Sequence, residues 1–124
     1  MGVFLYHKTM RKTNGEIAKK ESKFLRQAVV SIVKGFRPDR ILLFGSHAYG
    51  KPGTDSDLDL LIVKNTRLMP AERARQVSRM IGSHVFPLDL IVLTPGEIHR
   101  RLKGFDPFLE EALTQGKVLY DKNR

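Results

Sequence analysis

Asp57 and Asp59 stand two residues apart at the head of an aliphatic run, and a third carboxylate, Asp89, interrupts a second such run from Leu88 to Leu93. Successive side chains of a strand alternate faces, so Asp57 and Asp59 point one way while Leu58 and Leu60 point the other. Like charges held side by side repel, and a fold tolerates them where a cation or a shared proton offsets the repulsion. Upstream, Gly45-Ser46 offers backbone N–H groups and a hydroxyl, which suit the anionic end of a nucleoside triphosphate. Oxygen donors select a hard ion such as Mg²⁺. With Asp57, Asp59 and Asp89 holding two magnesium ions, the chemistry is two-metal nucleotidyl transfer: one ion aims an acceptor hydroxyl at the α-phosphorus, and the other neutralises the triphosphate and the departing pyrophosphate.

Two other readings compete for the same stretch and fail on single positions. Gly45 to Lys51 imitates a phosphate-binding P-loop, but the next position is Pro52, which has no hydroxyl for magnesium and does not open the required helix. Asp55, Asp57 and Asp59 imitate the start of a calcium-binding EF-hand loop, but its sixth and twelfth positions hold Leu60 and Thr66. Any one of these aspartates alone reads as a surface residue or the partner of a buried cation. Three in aliphatic strands, one pair of them behind a glycine-serine turn, favour a site.

The elements that must position these residues follow from periodicity. Residues 1–15 show no clean period and are basic, so they are read as an N-terminal extension without an assigned role, ahead of a single domain over 16–124. Ile17, Phe24, Leu25, Ala28, Val29, Ile32, Val33 and Phe36 recur at helical spacing, which predicts a long amphipathic helix ending near Gly35. Arg40 to Phe44 predicts a strand buried on both faces, Ser46 to Tyr49 a helical turn, Gly50 to Thr54 a loop, and Asp57 to Val63 the second strand. Pro70 opens a helix that Gly82 ends near Ile81, and Phe86 to Leu93 predicts a third strand. Thr94-Pro95-Gly96-Glu97 has the form of a capping box for a short helix to about Lys103, and Asp106-Pro107 opens another that stops at Gly116. Val118 to Tyr120 predicts a final edge strand. The alternation predicts an α/β (α+β) domain, a mostly apolar sheet of about four strands covered by helices.

Composition bounds the function. No apolar run approaches the roughly 18 residues of a membrane span, and the N-terminus lacks a basic leader and a cleavage site, so a cytoplasmic protein is expected. With no cysteine, disulfides, thiolate catalysis and thiolate zinc sites are excluded. The 22 Lys+Arg against 13 Asp+Glu give a formal charge of +9, which favours an anionic partner.

Gly45-Ser46-His47-Ala48-Tyr49-Gly50, then Ser56-Asp57-Leu58-Asp59-Leu60, then Leu88-Asp89-Leu90, resembles the signature of the minimal nucleotidyltransferases of the DNA polymerase β superfamily. The resemblance covers about residues 17–120. It implies that Asp57 and Asp59 bind both magnesium ions, that Asp89 binds the catalytic one and helps to activate the acceptor, and that Gly45 and Ser46 hold the triphosphate of ATP. Members often carry arginine two to three residues after the serine, where this chain has His47 and Tyr49, so Lys51 is the expected phosphate contact. His47 is left as a residue that touches the nucleotide or lies exposed without a role.

Larger members append a helical domain where this chain stops. Similar minimal proteins pair with a helical HEPN-type partner, often as the antitoxin that transfers AMP to a tyrosine of the toxin, and the resemblance implies that activity here. Two alternatives stand beside it: nucleotidyl transfer to a small molecule such as an aminoglycoside in a homodimer, and a non-catalytic module that covers an acidic partner. Nucleic acid is the less favoured partner.

Overall fold

The structure, a computed structural model, describes residues 2–3, 15–45, 47–48, 57–84 and 86–124, with side chains from Lys19 onward. Helix α1, Gly15–Phe36, forms because Leu25, Ala28, Val29, Ile32 and Phe36 make one buried stripe. It ends where Arg37 takes a left-handed φ of 52° and donates its N–H to the Val33 carbonyl at 3.2 Å, immediately before Pro38.

Five strands form one mixed sheet: β1 (Gly2–Val3), β2 (Arg40–Phe44), β3 (Leu58–Val63), β4 (Leu88–Leu93) and β5 (Lys117–Asp121), in the order β1-β5-β2-β3-β4. Four are substantial, as expected, and the fifth is the two-residue β1, which pairs antiparallel with β5. The expected edge position of the last strand is corrected: β5 lies inside the sheet, between β1 and β2. Antiparallel pairing joins β2 to β3 and to β5, whereas β3 and β4 run parallel. A parallel pair needs a crossover, and α2, Pro70–Ile81, supplies it.

Alternation in the strands gives the sheet two apolar faces. Ile41, Leu43, Leu58, Leu60 and Ile62 meet α1 and Val77 of α2. Leu42, Phe44, Leu61, Val63 and Leu93 meet Leu109 and Ala112 of α4, Pro107–Gln115, with Ile98 of α3, Pro95–Lys103, packed alongside. Strands apolar on both faces need helices on both sides, which is why the central runs read as continuous aliphatics. No helix among the described residues is long and apolar enough to cross a membrane.

Candidate active site

The register of the sheet brings two of the three carboxylates together. Asp59 is the second residue of β3 and Asp89 the second of β4, and the parallel ladder sets them directly opposite each other. Registered neighbours share a face, and adjacent strands run about 4.8 Å apart, so both carboxyl groups project from the same side at the open end of the sheet. Asp57 is exposed one residue before β3, on the same alternation as Asp59, and is held there as Leu58 N–H donates to the Pro87 carbonyl at 2.9 Å. The Asp59 and Asp89 face is that of α3 and α4, since Leu61, Val63 and Leu93 continue it inward.

Electrostatics agree with this convergence. Burial pushes the Asp59 carboxyl above its ordinary value, the Asp89 and Asp57 charges push it further, and His47 pulls the other way. Three residues from three separate segments therefore act on one group.

The turn after β2 completes the described part of the site. Gly45 has φ +77°, and a Cβ there would run into the Asp59 carboxylate. Only glycine lets this backbone pass so close to the acid. Ala48 N–H closes the turn on the Gly45 carbonyl at 3.0 Å. Ser46 and Lys51, the other expected nucleotide-binding residues, lie outside the described residues, as does the loop up to Ser56.

His47 is not the exposed residue that one expectation made it: it is buried, 5% exposed, with Nδ1 3.4 Å from Oε1 of Glu21, itself 4% exposed. Glu21 went unnoticed in the sequence, although it falls four residues before Leu25 on the apolar stripe of α1, where a carboxylate is out of place. No three of the described histidine, aspartate and glutamate side chains are gathered closely enough to enclose one ion as they stand. The donors nevertheless suit a hard divalent ion in kind, being carboxylates, and the repulsion felt by Asp59 is what such an ion relieves.

A model of the Polymerase beta nucleotidyltransferase family matches residues 27–124. The chain belongs to that family. This nucleotidyltransferase domain also resembles the crystal structure of a candidate nucleotidyltransferase from Sulfolobus solfataricus, with a TM-score of 0.66 at 23% identity over 93% of each chain. That likeness bears on the fold, and the mixed sheet with helices on both sides is the one expected. No curated protein matches the chain. Nucleotidyltransferase domains generally use a nucleoside triphosphate and a divalent metal.

Proposed function

We propose that this nucleotidyltransferase transfers AMP from ATP to a hydroxyl on a separate protein, a tyrosine of a helical HEPN-type partner, with Asp57, Asp59 and Asp89 as the catalytic carboxylates. The observation that carries the catalytic assignment is the direct opposition of Asp59 and Asp89 in the β3/β4 ladder, with Asp57 on the same alternation. Asp57, Asp59 and Asp89 would hold Mg²⁺, and Gly45, Ser46 and Lys51 the triphosphate. Bound Mg²⁺ supplies charge neutralisation of the triphosphate and lowers the pKa of the acceptor hydroxyl.

The chain's own residues then orient the reaction. Asp89, exposed at the strand end, receives the proton of the acceptor hydroxyl and passes it to water. The acceptor oxygen bonds to the α-phosphorus, and the bond to the leaving pyrophosphate breaks. Asp59, partly buried between Asp89 and the Gly45 turn, holds its carboxylate fixed.

A macromolecular acceptor is supported by the apolar rim beside the acids. Phe44 is the antiparallel partner of Asp59, and the ring of Phe108 meets it edge-on at 5.5 Å while remaining 54% exposed. Phe105, three residues earlier, is 92% exposed. Aromatic side chains left in solvent at the edge of a polar site suit contact with another protein. The HEPN-type identity rests on the resemblance of the Gly45-Ser46 and Ser56 to Leu60 motifs.

The test is incubation with α-labelled ATP, Mg²⁺ and the protein encoded beside this one. Label should appear on the partner and vanish with Asp57→Asn, Asp59→Asn or Asp89→Asn. Transfer undiminished by Asp89→Asn would remove the proton acceptor from the scheme, and absence of label on any protein would remove the acceptor class.

A further inference from the structure

We infer that the outward face of α1 is a docking surface for the sugar-phosphate backbone of a nucleic acid, held by Lys19, Lys20, Lys23, Arg26 and Lys34. At about 100° per residue these five side chains, with Gln27 and Val30, fall within roughly a third of the helix circumference. All seven are exposed, whereas the opposite stripe is buried in the core. From Lys19 to Lys34 the row runs about 22 Å along the axis at 1.5 Å per residue.

The row carries its charge without acids, as do Arg67, Arg100 and Lys103 elsewhere among the described residues, whereas several other cations are paired. On α2, Arg75 and Arg79 are met by Glu72 at 2.7 and 3.8 Å, and Arg73 by Glu97 at 2.7 Å. Lys122 is met by Asp39 at 2.9 Å and Arg40 by Asp121 at 3.7 Å. Among the described residues, none of the five cations of the α1 row has such an acid, and the one described carboxylate of the helix, Glu21, is buried on the other side. Like charges three and four residues apart, as at Lys19/Lys23 and Lys23/Arg26, repel and weaken a helix. Helix stability alone would place a glutamate among them.

The composition of the row favours nucleic acid over an acidic protein face. Protein interfaces are anchored by buried aromatic and apolar residues and are depleted in lysine. Here four of the five cations are lysine, and Val30, 44% exposed, is the only large apolar residue between them. Flexible point charges spaced along a rod suit a phosphate chain, whose affinity comes from counterion release and needs no apolar anchor. A groove of about 110 Å³ beside the row presents Gln27, Ser31 and Ser83 over Phe24 and Ile81, polar groups within reach of a sugar or base edge.

The row lies on the helix that covers the face of the sheet opposite Asp59 and Asp89, so it serves as a tether rather than as a route to the carboxylates. Binding is therefore measured without ATP or Mg²⁺, and it stands or falls separately from AMP transfer. The measurement is fluorescence anisotropy of the full chain with a short labelled single-stranded RNA, its DNA counterpart, a duplex of the same length, and polyglutamate.

Affinity for the nucleic acids should fall steeply between roughly 50 and 200 mM salt, and Lys23→Gln/Arg26→Gln/Lys34→Gln should lower the slope against log salt for the single strands by about 2, at about 0.7 per lost phosphate contact. The same triple variant should weaken single-strand binding at least about tenfold at low salt while its thermal midpoint is unchanged or raised. Arg75→Gln/Arg79→Gln, on the acid-paired face of α2, should leave both readouts alone. Equal binding of polyglutamate would assign the surface to an acidic protein and overturn the inference, as would a triple variant that binds RNA like the parent chain.

Discussion

Asp59 and Asp89 are direct neighbours in the parallel ladder of β3 and β4, the one rung of six at which that ladder is not aliphatic on both strands. Every other pair, from Leu58↔Leu88 to Val63↔Leu93, joins two aliphatic residues. Stability alone would put a branched aliphatic at this rung as well. The fold instead accepts repulsion between two carboxylates at the mouth of a sheet, which is the trade of stability for chemistry that functional sites commonly show.

That trade has a sign that can be measured. Burial and the neighbouring Asp89 and Asp57 charges raise the Asp59 pKa above 3.8, so the folded chain binds this proton more tightly than the unfolded chain does. A raised folded pKa contributes stability that is complete below the unfolded value and is lost as pH rises through the folded value. In metal-free buffer, Asp59→Asn should therefore be more stable than the parent at neutral pH. The advantage should disappear below about pH 3.8. Thermal melts in EDTA across this range check it, and a variant less stable than the parent at neutral pH would contradict the strain assigned to the pair.

Gly45 and Gly82 form a matched pair for a second prediction, since their φ values are +77° and +76°. A Cβ at Gly82 meets nothing within 4 Å, whereas at Gly45 it runs into the Asp59 carboxylate. Gly82→Ala places a Cβ at φ 76° and ψ −161°, a region essentially reserved for glycine, and should cost on the order of 1–3 kcal/mol while leaving nucleotidyl transfer intact. Gly45→Ala is strained by its own positive φ and must also displace Asp59, so it should lose transfer where Gly82→Ala does not. Equal activity for the two variants would show that the turn does not press on the carboxylate.

Punctuation made much of this architecture legible in the sequence. Pro70 and Gly82 bracket α2, and the Thr94 to Glu97 capping box forms as expected, with Glu97 N–H donating to Thr94 Oγ1 at 3.1 Å and Thr94 N–H to Glu97 Oε1 at 2.8 Å. The acids were visible because they interrupt aliphatic strands. Strand order was not, because pairing is a long-range choice that local periodicity does not encode. Hence the interior place of β5 and its pairing with Gly2–Val3 emerged only in three dimensions. The buried pairs were hidden for the same reason: Glu21 and His47, or Arg73 and Glu97, lie in different elements, and nothing in the chain announces which partner each charge meets.

Glu21 and His47 allow that long-range pairing to be weighed. Their side chains are almost fully buried and 3.4 Å apart, tying the first half of α1 to the turn that carries Gly45. Glu21→Gln and His47→Gln should each destabilise the chain, and the double variant should cost less than the sum of the two, with a coupling of roughly 0.5–3 kcal/mol. Urea denaturation of the four proteins gives the coupling directly. Strict additivity would mean that the two side chains are neighbours without being partners.

Arg73 and Glu97 present the corresponding test on the other side of the crossover. Arg73 is 5% exposed, donates Nε–H to the Leu68 carbonyl at 2.8 Å and Nη1–H to the Val92 carbonyl at 3.2 Å, and grips both Glu97 oxygens at 2.7 and 3.3 Å. One guanidinium thus joins α2, the end of β4 and the start of α3. Its hydrogen bonds, followed by that from the Thr94 backbone, hold the Glu97 carboxyl below its ordinary 4.5. A depressed folded pKa contributes stability that is present above the unfolded value and lost as pH falls through the folded one. Glu97→Ala removes the partner of a buried cation and half of the capping box, and should cost about 3 kcal/mol at neutral pH. Glu97→Gln keeps an acceptor for both Arg73 and Thr94 and should cost less, about 1–2 kcal/mol. As pH falls below 4.5 the parent loses the ionised carboxylate and the gap to Glu97→Gln should narrow. Chemical denaturation at neutral and acid pH distinguishes the outcomes: a gap that stays constant into acid would assign the cost to packing rather than to the charge that Arg73 holds.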